Sequence, residues 1–241
     1  PLSMLEVLYK IPSRILSKQI NRVLPTIIGP HQHGFMRQKG IQEPSIIMTH
    51  LIQDATSNNK PLQLLSFDIE KAFDRVTHTV IIQALRAFGF PEIYIQAIQE
   101  YILIGYAFVE VNGRLGMLIR ILRGSGQGDP MSSSLFLIAS EPINLAIIQT
   151  MRRIQYTDRC GISYSAVLFA DDNLNPLSIR RGQEIEPLLN LYQEYTQVSG
   201  LNVNRNKSQA LCINTPEEVK EELRTQGIQT PDVLQHLGIQ L

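Results

Sequence analysis

The sequence predicts one αβ domain, on three observations. Stretches of helical periodicity alternate with stretches of strand periodicity. An Asn112-Gly113 pair sits between two strand-like runs, the signature of a tight hairpin. No repeat, low-complexity tract or linker divides the 241 residues. A hydrophobic content of 44% is ample for a core at this length.

The elements follow in order. Arg14, Lys18 and Arg22 fall at i, i+4 and i+8 of a helical pattern, with Leu16, Ile20, Val23 and Leu24 on the other side. No acidic residue lies between Glu6 and Glu43, so the exposed face is wholly positive, suited equally to phosphates and to plain solvent. Pro25, Gly29 and Pro30 then interrupt the pattern. "PSIIMTHLIQDAT" predicts a second amphipathic helix with Ile46, Ile47, Leu51 and Ile52 toward the core. In "PLQLLSFDIE", Leu65, Phe67 and Ile69 alternate with Ser66, Asp68 and Glu70, which predicts a strand. "HTVIIQALRAFGF" and "PEIYIQAIQEYI" are helical patterns parted near Gly89 and Pro91, and "YAFVEVNGRLGMLIRI" is the hairpin. After a Gly-rich segment, "SSLFLIASEPINLAIIQTMR" predicts a long buried helix. Glu141 and Pro142 interrupt it short of the ~18 apolar residues that span a bilayer. "SYSAVLFADDN" is a strand running into an acidic pair, and "IEPLLNLYQEYTQVSG" a helix stopped by Gly200. "SQALCIN" is a short strand, "PEEVKEELRTQG" a helix with a charged face, and "HLGIQL" the start of a last strand.

Charge is balanced, with 22 basic and 22 acidic residues, so the total points to no acidic partner. Cys160 and Cys212 lie far apart in no metal-ligand spacing, which fits a reducing compartment. The opening has no secretory pattern, and a start at Pro1 rather than Met predicts a piece of something longer.

Three acids stand out by their setting. Asp68 lies within an apolar strand, and Asp171 and Asp172 end another. A carboxylate on a half-buried strand is costly unless paired or bound to metal. Two of them ~4 Å apart repel by roughly 1 kcal/mol in water and about 4 at an effective dielectric of 20. Divalent cations remove that cost, and oxygen ligands without nearby His or Cys favour Mg²⁺ or Mn²⁺ over zinc. Adjacent strands could hold two ions ~3.5–4 Å apart, as phosphoryl transfer requires. Taken alone, these acids are explained more simply by turns, caps and surface exposure. Gly124, Gly126 and Gly128 allow close approach of backbone to a flat or anionic ligand, but no Gly-Lys-Ser/Thr follows them, and alone they read as a flexible loop.

The order of the pieces is more specific than any of them. "SFDIEKAFDRV", "RGSGQGDPMSSSLF", "LFADDNL", "SGLNVNRNKS" and "HLGI" resemble, in sequence, the polymerase motifs of reverse transcriptases of non-LTR (LINE-type) retrotransposons. The opening "PLSMLEVLYKIPSRILSKQINRVLPTIIGPHQHGFMRQKG" is similar to that family's fingers region, which ends in a "QxGF" element. The resemblance covers essentially the whole chain. It implies an α+β fold, a right-hand polymerase core: an antiparallel palm sheet with helices packed on one face, plus mostly helical fingers, the thumb being absent. Residues 1–60 would be mainly fingers, and 61–241 mainly palm with a fingers insertion.

The resemblance also implies roles. The activity would be RNA-directed DNA polymerisation, with a primer 3′-hydroxyl attacking the α-phosphate of a dNTP. Asp68 and Asp171 would be the main ligands of two Mg²⁺ ions, Mn²⁺ being the alternative, with Asp172 completing the catalytic carboxylates and Ile69 offering its carbonyl. Phe73 would lie under the sugar and exclude a 2′-hydroxyl, and Asp74 would be structural, for instance capping the next helix. Gln127 and Gly128 would line the incoming nucleotide and template base, and Lys207 would serve as general acid near the pyrophosphate. His236, Leu237 and Gly238 would form the turn that supports the primer end, where the family more often has an aromatic before Leu-Gly. The chain departs from the family at Ser132-Ser133, often Ser-Pro, and at Gly126, often Arg. Implied partners are an RNA template, a DNA primer and dNTPs, with no membrane, and the thumb and an endonuclease domain of the same polyprotein. An intracellular place, nuclear or cytoplasmic, is expected, with no signal evident. A group II intron-type reverse transcriptase and a catalytically decayed or domesticated nucleic-acid-binding scaffold remain as alternatives. An RNA-dependent RNA polymerase is disfavoured by Phe73.

Overall fold

The computed structural model describes residues 7–240 apart from 104, 125 and 127. In chain order the elements are α1 (Val7–Ile27), α2 (Gln42–Ser57), β1 (Leu62–Ile69), α3 (Ala72–Arg75), α4 (His78–Ala87), α5 (Glu92–Ile98), β2 (Gly105–Val111), β3 (Arg114–Ile121), α6 (Ser132–Met151), β4 (Tyr156–Thr157), β5 (Ser163–Tyr164), β6 (Val167–Phe169), β7 (Asp172–Leu177), α7 (Glu186–Ser199), β8 (Val203–Ile213), α8 (Glu217–Thr225), β9 (Gln235–His236) and β10 (Ile239–Gln240). They form two compact units that interleave along the chain. One holds the chain up to Ile28, Lys71–Pro142 and Val198–Leu201; the other holds Gly29–Glu70, Ile143–Gln197 and the chain from Asn202 onward.

The second unit is built on a four-stranded antiparallel sheet in the order β6-β7-β1-β8. Alternation along β1 sends Leu65 and Phe67 to one face, where they meet Ile143, Ile147, Leu177, Leu188, Tyr192 and Leu223 from α6, β7, α7 and α8. Leu62 and Leu64 go to the other, against Met48, Leu51 and Ala55 of α2 and Leu174 of β7. The expected helix layer on one face is therefore joined by α2 on the other, which is why β1 is buried on both sides in its first half. Each such aliphatic side chain contributes roughly 1.5–3 kcal/mol on burial.

In α2, Leu51 is buried and Ile47 and Ile52 pack on the core as expected, joined by Met48 and Ala55, while Ile46 is 67% exposed. Asp54 also lies on the buried side, its carboxylate accepting bonds from the Tyr156 hydroxyl at 2.7 Å and the Arg159 amide at 3.3 Å. A larger departure is β7. "DNLNPL" reads as turn and polar cluster, yet it is a buried strand paired with both β6 and β1. Strand β8 runs eleven residues, longer than expected, and the last segment is a small β9–β10 hairpin rather than a single strand.

In the first unit, α1 buries Ser13, Ser17, Ile20 and Leu24 and exposes Arg14, Lys18 and Arg22. It continues through Pro12 and Pro25, the latter expected to end it. The Thr26 hydroxyl donates to the Val23 carbonyl at 2.7 Å, which supplies a partner to one of the last-turn acceptors. Strands β2 and β3 form the expected hairpin, with Asn112 at φ 52° and Gly113 at φ 73°, the signs of a type I′ turn. Helix α6 is long and apolar enough by composition to cross a membrane, in spite of Glu141, and the apolar window is 67% buried within the protein, as a core helix is.

Candidate active site at the β6–β7 turn

The three acids come from two neighbouring strands of one sheet. Phe67 of β1 pairs with Asn173 of β7, so the next step in the register sets Asp68 opposite Asp172. Phe169 pairs with Asp172 across the β6–β7 hairpin, leaving Ala170 and Asp171 as its two-residue loop. On the other side of β1, Asp68 pairs with Asn204 and Ile69 with Val203 of β8. Asp68, Ile69, Asp171 and Asp172 thus gather at one end of the sheet.

Their electrostatics follow from that placement. Burial raises the Asp171 pKa, opposed by a bond from its own amide and reinforced by repulsion from Asp172 and Asp68. Burial also raises Asp172, and the Asp68 charge adds to it. Among the described residues none of the three has an ion-pair partner. The set is all carboxylate, with repulsion that no neighbouring side chain relieves, and this chemistry fits hard divalent cations. As the side chains lie, no three His, Cys, Asp or Glu groups among the described residues enclose an ion.

The turn beneath them is strained and held. Ala170, the first of the two loop residues, has φ 58°, a conformation that normally takes Gly. A left-handed non-glycine residue costs roughly 1–2 kcal/mol. Gln32, fully buried, grips this residue: the Ala170 amide donates to Gln32 Oε1 at 2.9 Å, and Gln32 Nε2 donates to the Ala170 carbonyl at 3.1 Å. The Gly34 amide donates to the same Oε1 at 2.8 Å. A β-carbon on Gly34 would stand 2.1 Å from the Ala170 nitrogen, so only glycine fits there. The backbone around Gln32 runs beside β6, with the His33 amide donating to the Leu168 carbonyl at 2.8 Å and the Leu168 amide to the His31 carbonyl at 2.9 Å.

Behind the aspartates, Asn173 and Asn175 are buried. Asn173 Nδ2 donates to the Tyr192 hydroxyl at 2.6 Å, and Asn175 Nδ2 to Asn173 Oδ1 at 2.5 Å. Alternation of Asn173 and Asn175 with Leu174 was the available signal for a strand; the polar side chains hid it.

The remaining expected residues are placed as follows. Lys207 is exposed on β8, in a bulge where Asn204 and Gln209 pair with Asp68 and Ser66 and four β8 residues face one on β1. His236 is 5% exposed, its Nε2 has no hydrogen-bond partner among the described residues, and burial lowers its pKa to about 4. Leu237 and Gly238 form the turn after it, at φ 51° and 76°, with Leu237 packed on the α2-side core. Phe73 and Gly128 belong to the other unit. There Phe73 sits on α3, its ring centroid 4.4 Å from that of Phe136. The Gly-rich stretch starts beside α3: the Gly124 amide donates to the Val76 carbonyl at 2.7 Å, and a β-carbon on Gly124 would lie 3.0 Å from the Phe73 and Asp74 carbonyl oxygens. Gly128 has φ 82° with open space around it; Gln127 lies outside the described residues. Asp74 is exposed, and Thr77 rather than Asp74 caps α4, its hydroxyl accepting from the Val80 amide at 3.4 Å.

The family model described as "Reverse transcriptase (RNA-dependent DNA polymerase)" matches residues 1–241. The chain belongs to the reverse transcriptase family. This reverse transcriptase domain is 31% identical over 170 residues to the retrovirus-related Pol polyprotein of the type-1 retrotransposable element R2 of Popillia japonica. That alignment covers 70% of this chain and 27% of the relative. It is 26% identical over 215 residues to the transposon TX1 149 kDa protein of Xenopus laevis, covering 88% of this chain and 16% of that protein. Its relatives are thus non-LTR retrotransposon proteins, and the reverse transcriptase domain spans between a sixth and about a quarter of these two. In fold it is similar to an apo telomerase from Candida tropicalis, with a TM-score of 0.65 at 12% identity, over 97% of this chain and 39% of that one. The α+β palm-and-fingers architecture is shared with telomerase. Reverse transcriptases as a family use divalent metal ions and work on an RNA template with a primer.

Proposed function

We propose that this reverse transcriptase domain extends a DNA primer on an RNA template, as part of a retroelement protein. The observation that carries the reading is the set of three carboxylates gathered at one sheet end without a cationic neighbour among the described residues, in a chain of this family. Asp68, Asp171 and Asp172 hold two Mg²⁺ ions, Mn²⁺ being the alternative, with the Ile69 carbonyl as a further ligand. When bound, such ions make the primer 3′-hydroxyl a better nucleophile and neutralise charge on the departing pyrophosphate.

The chain's own groups do the rest. The rigid β6–β7 hairpin holds Asp171 and Asp172 beside Asp68. Lys207, pushed out by the β8 bulge, supplies a proton to the pyrophosphate. Phe73 blocks a ribose 2′-hydroxyl, Gly128 leaves room for the nucleotide with Gln127 beside it, and the His236–Gly238 turn backs the primer end. Arg14, Lys18 and Arg22 on α1 track backbone phosphates. Residues 1–60 serve mainly as fingers and 61–241 mainly as palm. The relatives' greater length fits a thumb and an endonuclease domain in the same polyprotein, and target-primed integration would put the protein in the nucleus. Primer extension on an RNA template with dNTPs, comparing wild type and Asp171→Ala, tests the assignment; equal incorporation by both would sink it.

A further inference from the structure

We propose that Gln32 is a positioning residue for the metal site: its side-chain amide locks the Ala170–Asp171 turn and so fixes where Asp171 and Asp172 point. The inference rests on the metal reading of the three carboxylates and adds a residue 138 positions away in sequence from the turn it holds.

A two-residue loop with alanine at the positive-φ position does not choose its geometry unaided, because alanine disfavours that region. Gln32 supplies both halves of what the loop lacks. Its Oε1 accepts from the Ala170 amide and its Nε2 donates to the Ala170 carbonyl, so the one peptide residue is held from both sides. Such a two-point grip fixes rotation as well as distance.

The grip is itself anchored. Lys39 Nζ donates to the Gln32 and Pro30 carbonyls, each at 2.9 Å, and the two backbone bonds to Leu168 tie the same segment along β6. The Gly34 amide occupies the second lone pair of Oε1, which sets the amide plane and leaves Nε2 aimed at Ala170. None of these groups contributes a charge to the carboxylates. They act on direction, the way an outer-layer partner orients a metal ligand.

The test uses the chain with Mn²⁺ as probe. Calorimetric affinity is compared for wild type, Asp171→Ala and Gln32→Met, the last filling the same volume without the hydrogen bonds. Gln32→Met should weaken Mn²⁺ binding by about 10- to 100-fold. In the same variant, hydrogen exchange should accelerate at the Ala170 and Gly34 amides and stay unchanged at Leu64 and Leu65 of β1. Adding Ala170→Gly should restore most of the affinity, since glycine takes the turn conformation freely, a rescue that a general loss of stability would not show. Equal affinity for wild type and Gln32→Met overturns the positioning role alone. No uptake by wild type overturns the metal reading, and the positioning role with it. Were Gln32→Met not to fold, wild-type exchange still decides: an Ala170 amide as unprotected as a free turn amide overturns the proposal.

Discussion

Asn173 meets the Tyr192 hydroxyl at 2.6 Å directly behind Asp172, within the core between β7 and α7. The contact joins the acidic end of the sheet to the helix layer through a polar pair that water does not reach. Tyr192→Phe removes the acceptor and leaves a buried amide short of a partner. Stability should fall by about 1–3 kcal/mol. A denaturant midpoint unchanged to within about 0.5 kcal/mol would show that Asn173 finds another acceptor.

Asp171 and Asp172 sit where their charged forms are disfavoured. Burial and mutual repulsion disfavour their charged forms, so neutral isosteres relieve the fold. In metal-free buffer Asp171→Asn and Asp172→Asn should each raise the melting temperature, the exposed Asp172 less than Asp171, while losing polymerase activity. Thermal melts with and without Mg²⁺ check this: wild type should gain more from the ion than either variant. A variant less stable than wild type without metal would count against repulsion as the dominant effect.

His236 gives the fold an acid-sensitive limb. Its folded pKa is near 4, below that of an imidazole in the unfolded chain, so the unfolded state binds the proton more tightly. Its contribution to stability is complete above about pH 6.5 and declines as pH falls toward 4, by at most roughly 3 kcal/mol. His236→Phe should flatten that limb and remove an unpartnered ring nitrogen. Urea titrations at neutral and mildly acidic pH compare the two; parallel pH slopes would rule the imidazole out as the source.

Phe73 is the residue whose proposed role is easiest to separate from folding. Its ring rests on Phe136, and losing such a pair costs roughly 0.5–1.5 kcal/mol beyond area. Phe73→Val should therefore fold and extend primers. Its preference for dNTPs over rNTPs, as a ratio of kcat/KM values, should drop by about tenfold or more, a loss worth at least ~1.4 kcal/mol of discrimination. An unchanged ratio would remove Phe73 from sugar selection.

Much of this was legible in the residues. The alternation around Asp68, the Asn112-Gly113 turn and the ordered motifs lead to the sheet, the hairpin and the family. What hid was polar burial. Asp54 is buried on α2 because Tyr156 and the Arg159 amide satisfy it, and β7 was masked by two buried asparagines, Asn173 donating to Tyr192 and Asn175 donating to Asn173. Periodicity treats polarity as exposure, so it misreads any segment whose polar groups find partners indoors. Gln32 was hidden for the same reason, since its partners are backbone groups far along the chain.

The close approach of Gly34 to Ala170 has a bearing on how copies of a retroelement decay. A single base change that puts any side chain at position 34 forces the turn to shift, with every carboxylate still spelled in the gene. Such a copy would look alive to a census that counts aspartates and be silent at the bench. The glycine two residues after Gln32 is thus a marker of integrity that can be read in a genome alongside the acids themselves.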